Sequence, residues 1–435
     1  MKRSLLIKPM MDEDYPTAVR AEGIYIYDEH GKKYLDGSSG AVTASLGHAV
    51  TEIIEAVHEQ SKEVSFVYRS QFTTIPAEQL AQKLNTLINA KENYWSFFVN
   101  SGSEAAETAM KIAIQHFQEQ GKTQKNKILS RWISYHGITI GALSMSGHVK
   151  RRERFVPLLE DYPSISAPYC YQCPFHKTFP DCQLACASEL ETAIKRIGAQ
   201  HIAAFIAEPI VGAAGGVIVP PEGYYQQIRK ICDRYNILFI ADEVMTGLGR
   251  TGKMFALNHW DVLPDIMTLG KGLSAGYTPI AATLASDKVM KPILQGTKSI
   301  MSGHTFSANP QSTAVALAVL NYIEKENLVE KVESQGAILL QKLHVLAKGF
   351  PMIGDIRGKG LLIGVEFTSE SHGSLTQKIV TTAREKGLLL YPASAGRDGF
   401  EGDAIIISPP FTITEKEINQ LIKLFSDTLH EVQGG

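Results

Sequence analysis

The chain has 435 residues, of which 44% are hydrophobic and 20% charged, and its formal net charge at pH 7 is −2. A chain of this length is too long for one simple core, which favours two packed units. The near-neutral charge gives no electrostatic reason to expect nucleic acid or an anionic membrane surface as a partner, so we expect neither.

At the start of the chain, only a three-residue apolar run precedes Lys8, and apolar runs such as Ile202–Ala207 are too short to cross a bilayer. We therefore expect no signal peptide, no membrane association and a cytoplasmic protein. The first elements are two short strands, two helices, and an alternating strand that leads straight into a third helix. In chain order they are Gly23–Tyr27, Lys33–Asp36, His48–Glu63, Pro76–Asn89, Tyr94–Val99 and Glu104–Gln118.

Apolar strands then alternate with helices. The predicted strands are Lys127–Ser134, His201–Glu208, Ile237–Asp242 and Asp265–Leu269, and the predicted helices are Ser188–Ile197, Glu222–Tyr235 and Phe255–Trp260. Short, wholly apolar strands separated by helices are typical of a parallel α/β sheet that is covered on both faces.

The sequence predicts a long helix over Ser307–Glu324, and at this helix the chain leaves the parallel sheet. The remaining residues predict helices packed on a small sheet that contains Leu361–Phe367 and Ala404–Ser408. We therefore predict an α/β fold with a large domain over residues 64–324. A smaller α/β domain would combine the two chain ends, residues 1–63 and 325–435.

The segment Asn100–Ser103 connects a predicted strand to a predicted helix. Gly102 permits close backbone approach, Ser103 offers a hydroxyl, and the N–H groups and dipole of the following helix suit a phosphate. Taken alone, the segment is better explained as a helix N-cap, with Glu104 and Glu107 complementing the dipole. Its functional interpretation depends on the segments that follow.

Two later strands end in charged residues. Ile240–Glu243 places two acids after an apolar strand, and a carboxylate buried there requires a cationic or protonated partner. A helix cap or a structural ion pair is the alternative explanation. Leu269–Gly272 ends another apolar strand with Lys271 between two glycines. Desolvation at that position lowers the pKa of the amine and makes it a nucleophile for a carbonyl carbon.

Together the three segments provide an anion cradle, a carboxylate for a ring nitrogen and an amine for an aldehyde, which match the three reactive parts of pyridoxal 5'-phosphate (PLP). The carboxylate, Asp242, would keep the pyridine nitrogen protonated so that the ring can absorb electrons from the substrate. Tyr135, followed by His136 and Gly137, supplies an aromatic side chain to stack on the ring. A core tyrosine explains this last feature equally well in isolation.

The stretch Asp242–Gly252, followed by Gly270–Gly272, resembles the signature of class III aminotransferases of PLP fold type I. The resemblance covers essentially the whole chain, because other motifs follow in the family's order. These are Tyr34–Asp36, Leu46–His48, Ser101–Ala105, Glu208–Pro209, Pro220–Tyr224, Gly303–Pro310 and Pro409–Pro410. The resemblance implies a PLP-dependent aminotransferase with a large domain around a mostly parallel sheet.

The resemblance also implies roles for individual residues. Lys271 would attach the cofactor and shuttle a proton, Asp242 would pair with the pyridine nitrogen, and Val244 would lie against the ring face opposite Tyr135. Thr305 would reach the phosphate in the neighbouring subunit, so the expected unit is a homodimer with shared active sites. The full set of expected cofactor-binding residues is Gly102, Ser103, Tyr135, His136, Glu208, Asp242, Val244, Lys271 and Thr305.

Three departures from the family pattern bear on the substrate. Met245 stands where many members have glutamine, Val211–Gly216 lacks the acid of members with a gating glutamate, and Ile406 replaces a fixed carboxylate-binding arginine. Together they favour an ω- or β-amino acid, or an amine, as donor. The expected acceptor is a 2-oxo acid, with pyruvate favoured over 2-oxoglutarate.

Arg397, in the glycine-rich loop Ser394–Gly402, resembles the mobile arginine of ω-amino acid and amine transaminases. That arginine moves in for a carboxylate and out for an apolar group; a solvated loop arginine is the alternative. Phe72 and Ser39 are the other expected substrate-binding residues by family position. Packing explains each of these two residues equally well.

Four of the five cysteines lie close together in the sequence, at Cys170, Cys173, Cys182 and Cys186, with His176 among them. They supply enough thiolates for a structural zinc site, but their spacing departs from the usual paired pattern. We therefore expect reduced thiols and no bound metal.

Two other functions are compatible with these residues. Another PLP reaction on the same fold, an aminomutase or a decarboxylase, would use the same lysine, aspartate and phosphate cradle. A binding or regulatory protein that kept the fold without catalysis is the third hypothesis, and the retention of both Lys271 and Asp242 argues against it.

Overall fold

The computed structural model describes residues 5–11, 13–368 and 374–434. Its strands are β1 Ala18–Glu22, β2 Tyr25–Asp28, β3 Lys33–Asp36, β4 Tyr94–Val99, β5 Lys127–Arg131, β6 Ser164–Ile165, β7 Ile202–Ala207, β8 Leu238–Asp242, β9 Ile266–Leu269, β10 Ala281–Ser286, β11 Ile353–Lys359, β12 Leu362–Phe367, β13 Leu388–Leu389, β14 Tyr391–Ala395 and β15 Gly402–Ile407. Its helices are α1 Ser39–Val42, α2 Thr51–Glu63, α3 Ile75–Ile88, α4 Gly102–Gln118, α5 Ile140–Ser144, α6 Val149–Arg152, α7 Ala185–Ile197, α8 Tyr224–Arg234, α9 Asp287–Gln295, α10 Pro310–Lys325, α11 Leu328–Ala347, α12 Ser374–Glu385 and α13 Glu415–Gly434.

A seven-stranded sheet in the order β4-β10-β9-β8-β7-β5-β6 forms the centre of the molecule. Only β10 runs against the others, because it pairs antiparallel with both β4 and β9. Strands β7, β8 and β9 are buried along their whole length, which explains why they are apolar without alternation. The predicted mostly parallel α/β sheet is therefore confirmed.

The sequence pattern does not predict β10, because its sequence AATLAS has small side chains and no clear alternation. The pattern also places the end of β5 at Ser134, whereas the strand ends at Arg131. Ile133 takes a φ of +54°, and the Ser134 hydroxyl donates to the Arg131 carbonyl oxygen at 2.7 Å. These two features turn the chain out of the sheet earlier than the apolar pattern suggests.

Two smaller sheets are built from the chain ends. The first has the order β1-β2-β3-β13, and the second has the order β11-β12-β15-β14. Strand β13 pairs parallel with β3 through Leu388 and Leu35, which joins the C-terminal part of the chain to the N-terminal part. From this pairing we infer that the two ends share the smaller domain. Within the described ranges, no helix is both long and apolar enough to cross a membrane.

Candidate active site

The carboxyl ends of the central parallel strands surround a cavity of about 470 Å³. Ligand sites of open α/β sheets form at this edge. The expected cofactor-binding residues that line the cavity are Gly102, Ser103, Tyr135, His136, Glu208, Asp242, Val244 and Lys271. These residues come from five separate segments of the chain, and the fold brings them together around one space.

Asp242 is the last residue of β8, and three groups fix its carboxylate. The Asp242 Oδ2 atom lies 2.7 Å from His136 Nδ1, and Oδ1 accepts hydrogen bonds from Thr268 Oγ1 at 2.9 Å and the Val244 N–H at 3.2 Å. His136 Nε2 is buried and has no hydrogen-bond partner among the described residues. The aspartate is thus held rigidly at the cavity wall.

Lys271 follows β9 and begins a short 3-10 turn. Its φ of +41° lies in the left-handed region, which is strained for a residue with a side chain. Burial lowers the pKa of the Lys271 amine, while the nearby acids Asp242 and Glu208 act in the opposite direction and Arg151 lowers it further. Strain and a depressed pKa at one lysine are typical of a functional amine.

The N-terminus of α4 forms another wall of the cavity. Ser101 caps this helix, because its Oγ accepts a hydrogen bond from the Glu104 N–H at 3.3 Å. A Cβ atom added to Gly102 would lie 2.9 Å from Val244 Cγ1, so only glycine permits this approach. Ser103 Oγ accepts from the Ile138 N–H at 3.0 Å. A helix N-terminus with a bare glycine backbone is a suitable seat for a phosphate.

Glu208 lies directly after β7 and is buried. Its carboxylate accepts hydrogen bonds from the backbone N–H groups of Tyr135 at 3.0 Å and Gly212 at 3.0 Å. Burial is the main cause that raises the pKa of the Glu208 carboxyl, and Asp242 raises it as well. Glu208 therefore fixes the segment that carries Tyr135 and places a carboxyl group inside the cavity.

Other expected site residues lie outside this cavity. Thr305 is exposed, and the Phe72 side chain is 64% exposed. Ser39 is fully buried, where its hydroxyl donates to the Ser408 carbonyl oxygen at 2.7 Å and accepts from Arg250 at 3.2 Å. In this structure Ser39 therefore connects backbone segments and does not face the cavity.

Arg397 lines a different cavity of about 270 Å³, together with Trp132, Tyr169 and Pro174. Its guanidinium Nη1 lies 3.2 Å from His176 Nε2, and its backbone N–H donates to Gln172 Oε1 at 3.1 Å. The cysteine-bearing segment thus holds the arginine away from the cofactor cavity.

The loop that follows Lys271 also contributes to the cavity, although no motif in the sequence indicates it. Ser274, Gly276, Tyr277, Thr278, Pro279 and Ile280 all line the cavity, as does Asn100 before Ser101. The available signal was their position immediately after the lysine motif, where a glycine and a proline predict a loop at the mouth of the site.

All five cysteines are free thiols in the structure. Within the described residues, no group of three or more histidine, cysteine or acidic side chains is arranged to hold a metal ion. Burial raises the pKa of the Cys186 thiol to about 12. Burial also raises the pKa of the Cys170 thiol, and the neighbouring thiols add to that effect.

The lining of the cofactor cavity fits PLP by its chemistry. Lys271 supplies an amine for the aldehyde, Asp242 supplies a fixed carboxylate for the ring nitrogen, and the start of α4 supplies the phosphate seat at Gly102. Two further features of this lining leave room for a bound group. His136 Nε2 is buried without a hydrogen-bond partner among the described residues, and the space beside Gly102 is one that a Cβ atom would fill. The fold and site therefore define an enzyme that uses this cofactor.

Comparison with known proteins identifies the family. The family model for aminotransferase class-III matches residues 10–429, so the chain belongs to the class III aminotransferases. An uncharacterized aminotransferase of Bacillus subtilis, YodT, is 54% identical over 99% of this chain and 98% of its own length. A taurine–pyruvate aminotransferase of Bilophila wadsworthia is 35% identical over 93% of this chain and 90% of its own.

A solved amine transaminase from an uncultivated Pseudomonas species, in its PLP-bound form, matches the fold with a TM-score of 0.93. It is 33% identical, and the alignment covers 99% of each chain. The protein is thus a PLP-dependent aminotransferase of fold type I, as the sequence motifs predicted.

Proposed function

We propose that this aminotransferase moves an amino group from an ω- or β-amino acid, or from an amine, to pyruvate by a ping-pong mechanism. The observation that carries the proposal is the position of Lys271. Its amine lines the cavity on a strained backbone and interacts electrostatically with Asp242 and Glu208. When bound, PLP supplies an electron sink for the carbon that carries the amino group.

Asp242 would hold a proton at the ring nitrogen. Its own position is set by His136 Nδ1, Thr268 Oγ1 and the Val244 N–H, so the carboxylate cannot turn away from the cavity. Gly102 and Ser103 would bind the phosphate at the N-terminus of α4, and Val244 and Tyr135 would confine the ring. These contacts keep the reacting carbon next to the lysine.

Lys271 Nζ would accept the proton from the carbon that loses its amino group and return a proton in the second half-reaction. An amine can do so only in its neutral form, and burial of Lys271 favours that form because it lowers the pKa. The electron sink and the proton carrier would thus act on one carbon from fixed positions.

The donor class follows from apolar residues at positions where other members of the family carry a fixed arginine, a gating glutamate or a glutamine. Ile406 is fully buried in β15, among apolar residues that include Leu362 and Ile237, and it offers no charge to a substrate carboxylate. Ala213 and Met245 line the cavity with apolar atoms. This lining favours donors whose reacting carbon carries an apolar group, as in ω- and β-amino acids and amines. Arg397 would bind a carboxylate only after it leaves His176.

The taurine–pyruvate aminotransferase among the relatives supports pyruvate as the acceptor. Initial rates with varied donor and acceptor would test the proposal, with pyruvate and 2-oxoglutarate in parallel arms. We expect parallel double-reciprocal lines and faster turnover with pyruvate. Product formed from the donor without an acceptor would instead favour an aminomutase or a decarboxylase. Faster turnover with 2-oxoglutarate would reverse the choice of acceptor.

We also propose that the working unit is a homodimer with shared active sites. Phe66, Phe72, Met301 and Phe306 are large apolar side chains that remain exposed, and the rings of Phe66 and Phe306 meet edge to face at 5.8 Å. Exposed apolar side chains of this size that lie together are typical of an interface. Sedimentation of the wild type should give the mass of two chains, and Phe306→Asp should weaken the association.

The cytoplasmic location stays a prediction.

A further inference from the structure

Arg151 lies beside the cofactor cavity, although the sequence motifs do not point to it. It belongs to α6, and its guanidinium carbon lies 4.6 Å from the centroid of the Tyr135 ring. Its Nη1 donates a weak hydrogen bond to Tyr135 Oη at 3.4 Å. Tyr135 itself lines the cofactor cavity, so the stacked pair places a permanent positive charge at the edge of that cavity.

This charge has no carboxylate partner in the part of the chain that the structure describes. Among the described residues, no acidic side chain lies within 4 Å of the Arg151 guanidinium, and the side chain is exposed. Its effect reaches the lysine, because the charge of Arg151 lowers the pKa of Lys271. A guanidinium that is oriented by stacking and has no anionic partner is suited to bind a carboxylate with two parallel hydrogen bonds.

Arg151 also lines a recess of about 180 Å³ that adjoins the cofactor cavity through Ala213, which lines both. The other walls of the recess include His148, Lys150 and Gln377. His148 is only 7% exposed, and its Nδ1 has no hydrogen-bond partner among the described residues. A buried polar atom without a partner, beside an arginine without a counterion, indicates that the recess is built to receive an anionic group.

The arginine that the family pattern highlights is arranged differently. Arg397 bonds to His176, and its cavity shares no lining residue with the cofactor cavity. Of the two arginines, Arg151 is the one that contacts a residue lining the cofactor cavity, namely Tyr135.

We propose that Arg151 binds the carboxylate of the amino donor and of the 2-oxo acid acceptor, in the recess shared with His148, and thereby sets substrate specificity. This inference rests on the proposed function. The reacting amino group would lie near Lys271, and the carboxylate would lie at Tyr135 and Arg151. Donors that separate the amino group from the carboxylate by two or more carbons, as β- and ω-amino acids do, would span the distance between the two positions.

Two donors of matched shape test the proposal on the holoenzyme. 3-Aminobutanoate and sec-butylamine differ by a carboxylate in place of a methyl group. The donor half-reaction is followed by the absorbance of the bound cofactor. In Arg151→Ala, the ratio of kcat/KM for 3-aminobutanoate to that for sec-butylamine should fall at least about tenfold, as expected for the loss of a charged hydrogen bond. Arg151→Lys should give an intermediate loss, because the charge remains without the planar fork.

Arg154→Ala is the control, because it removes the same charge three residues later in the chain. The exposed Arg154 side chain makes no hydrogen bond or ion pair with the described residues. Arg397→Ala is the comparison for the family-derived prediction. An unchanged ratio in Arg151→Ala, equal to that of Arg154→Ala, would overturn the proposal. A loss of equal size for both donors would overturn it too, since that result indicates a structural effect through Tyr135.

A binding measurement separates this proposal from the proposed function. Hexanoate is titrated into the holoenzyme and its dissociation constant is measured by calorimetry. Arg151→Ala should weaken hexanoate binding about tenfold or more relative to Arg154→Ala, whether or not the wild type turns over the tested donors. Equal dissociation constants for the two variants would reject Arg151 as the anion site. Failure of the wild type to transaminate any donor would reject only the proposed function.

Discussion

The Nδ1 atom of His136 lies 2.7 Å from Oδ2 of Asp242, and both side chains are buried at the wall of the cofactor cavity. The carboxylate accepts this hydrogen bond, so Nδ1 carries the proton. The pair connects the segment after β5 to the end of β8, and it fixes the acid that we assign to the ring nitrogen.

The first prediction concerns this pair. Asp242→Asn should lower kcat about a hundredfold to a thousandfold, because a neutral amide cannot hold the ring nitrogen protonated. His136→Ala should cost less, roughly tenfold to a hundredfold, since the aspartate remains but is free to turn. Single-turnover kinetics with bound cofactor would measure both. An Asp242→Asn variant that is as active as His136→Ala would contradict the assigned roles.

The second prediction concerns the amine of Lys271. Because burial lowers its pKa from the usual 10.5, the rate at which the apoenzyme condenses with PLP should reach half its maximum below pH 10.5. Asp242→Asn should move this midpoint to still lower pH, because the charge of Asp242 raises the pKa of Lys271. Arg151→Ala should move it to higher pH, because the charge of Arg151 lowers that pKa. Stopped-flow absorbance across the pH range measures the midpoint. Shifts of the opposite sign would show that these charges do not act on Lys271.

The third prediction concerns Glu243, which is buried next to Asp242. Its carboxylate accepts hydrogen bonds from Thr246 Oγ1 at 2.5 Å and the Leu257 N–H at 3.0 Å, yet burial raises its pKa to about 7. The folded state therefore prefers the neutral acid, and its stability falls as pH rises from the unfolded value of about 4.5 to 7. This loss amounts to roughly 3 kcal/mol.

Glu243→Gln tests this sign, because an amide can donate and accept as the neutral acid does. The urea midpoint of the variant should match that of the wild type at pH 4, below the unfolded pKa of Glu243, and exceed it at pH 8. Since other groups titrate equally in both proteins, the difference between the two midpoints isolates Glu243. A wild type that is relatively more stable at pH 8 would contradict the raised pKa.

The fourth prediction concerns Arg250, a buried residue that forms no ion pair within 4 Å among the described residues. Its guanidinium donates to the carbonyl oxygens of Pro409 at 2.7 Å and Leu361 at 3.1 Å and to Ser39 Oγ at 3.2 Å. Burial lowers its pKa to about 9, although the charge of Asp36 acts in the opposite direction. The residue therefore connects the loop after β8 to segments from both chain ends.

Arg250→Met should destabilise the protein by about 2 to 6 kcal/mol, because two buried carbonyl groups lose their donor. The exposed pair formed by Arg20 and Glu22 provides the control, and Arg20→Met should change stability by less than about 0.5 kcal/mol. Urea unfolding of both variants measures the effect. Equal midpoints for the two variants would show that the Arg250 contacts are not needed for stability.

Much of the fold and of the cofactor cavity could be predicted from the sequence, because both depend on local signals. Apolar strands that end in Asp242 and Lys271 place those residues at one edge of a parallel sheet, whatever the details of packing. The strand β10 could not be predicted, since its small side chains lack a period and its place is decided by pairing with β4 and β9.

The substrate end of the site depends on contacts between distant segments, which local patterns do not reveal. Arg151 follows Tyr135 by sixteen positions and meets it only because the chain between them, which includes α5, turns back toward Tyr135. Ser39 was expected to face the substrate, but its hydroxyl is occupied by Ser408 and Arg250, which come from distant parts of the chain.

The most direct test of the account is the location of the cofactor on the holoenzyme. The protein is reduced with borohydride and digested, and the peptides are analysed by mass spectrometry. We expect a single pyridoxyl adduct per chain on Lys271, and none in Lys271→Ala, which should remain folded and lose turnover. An adduct on another lysine of the wild type, or full transamination by Lys271→Ala, would contradict the assignment on which the whole mechanism depends.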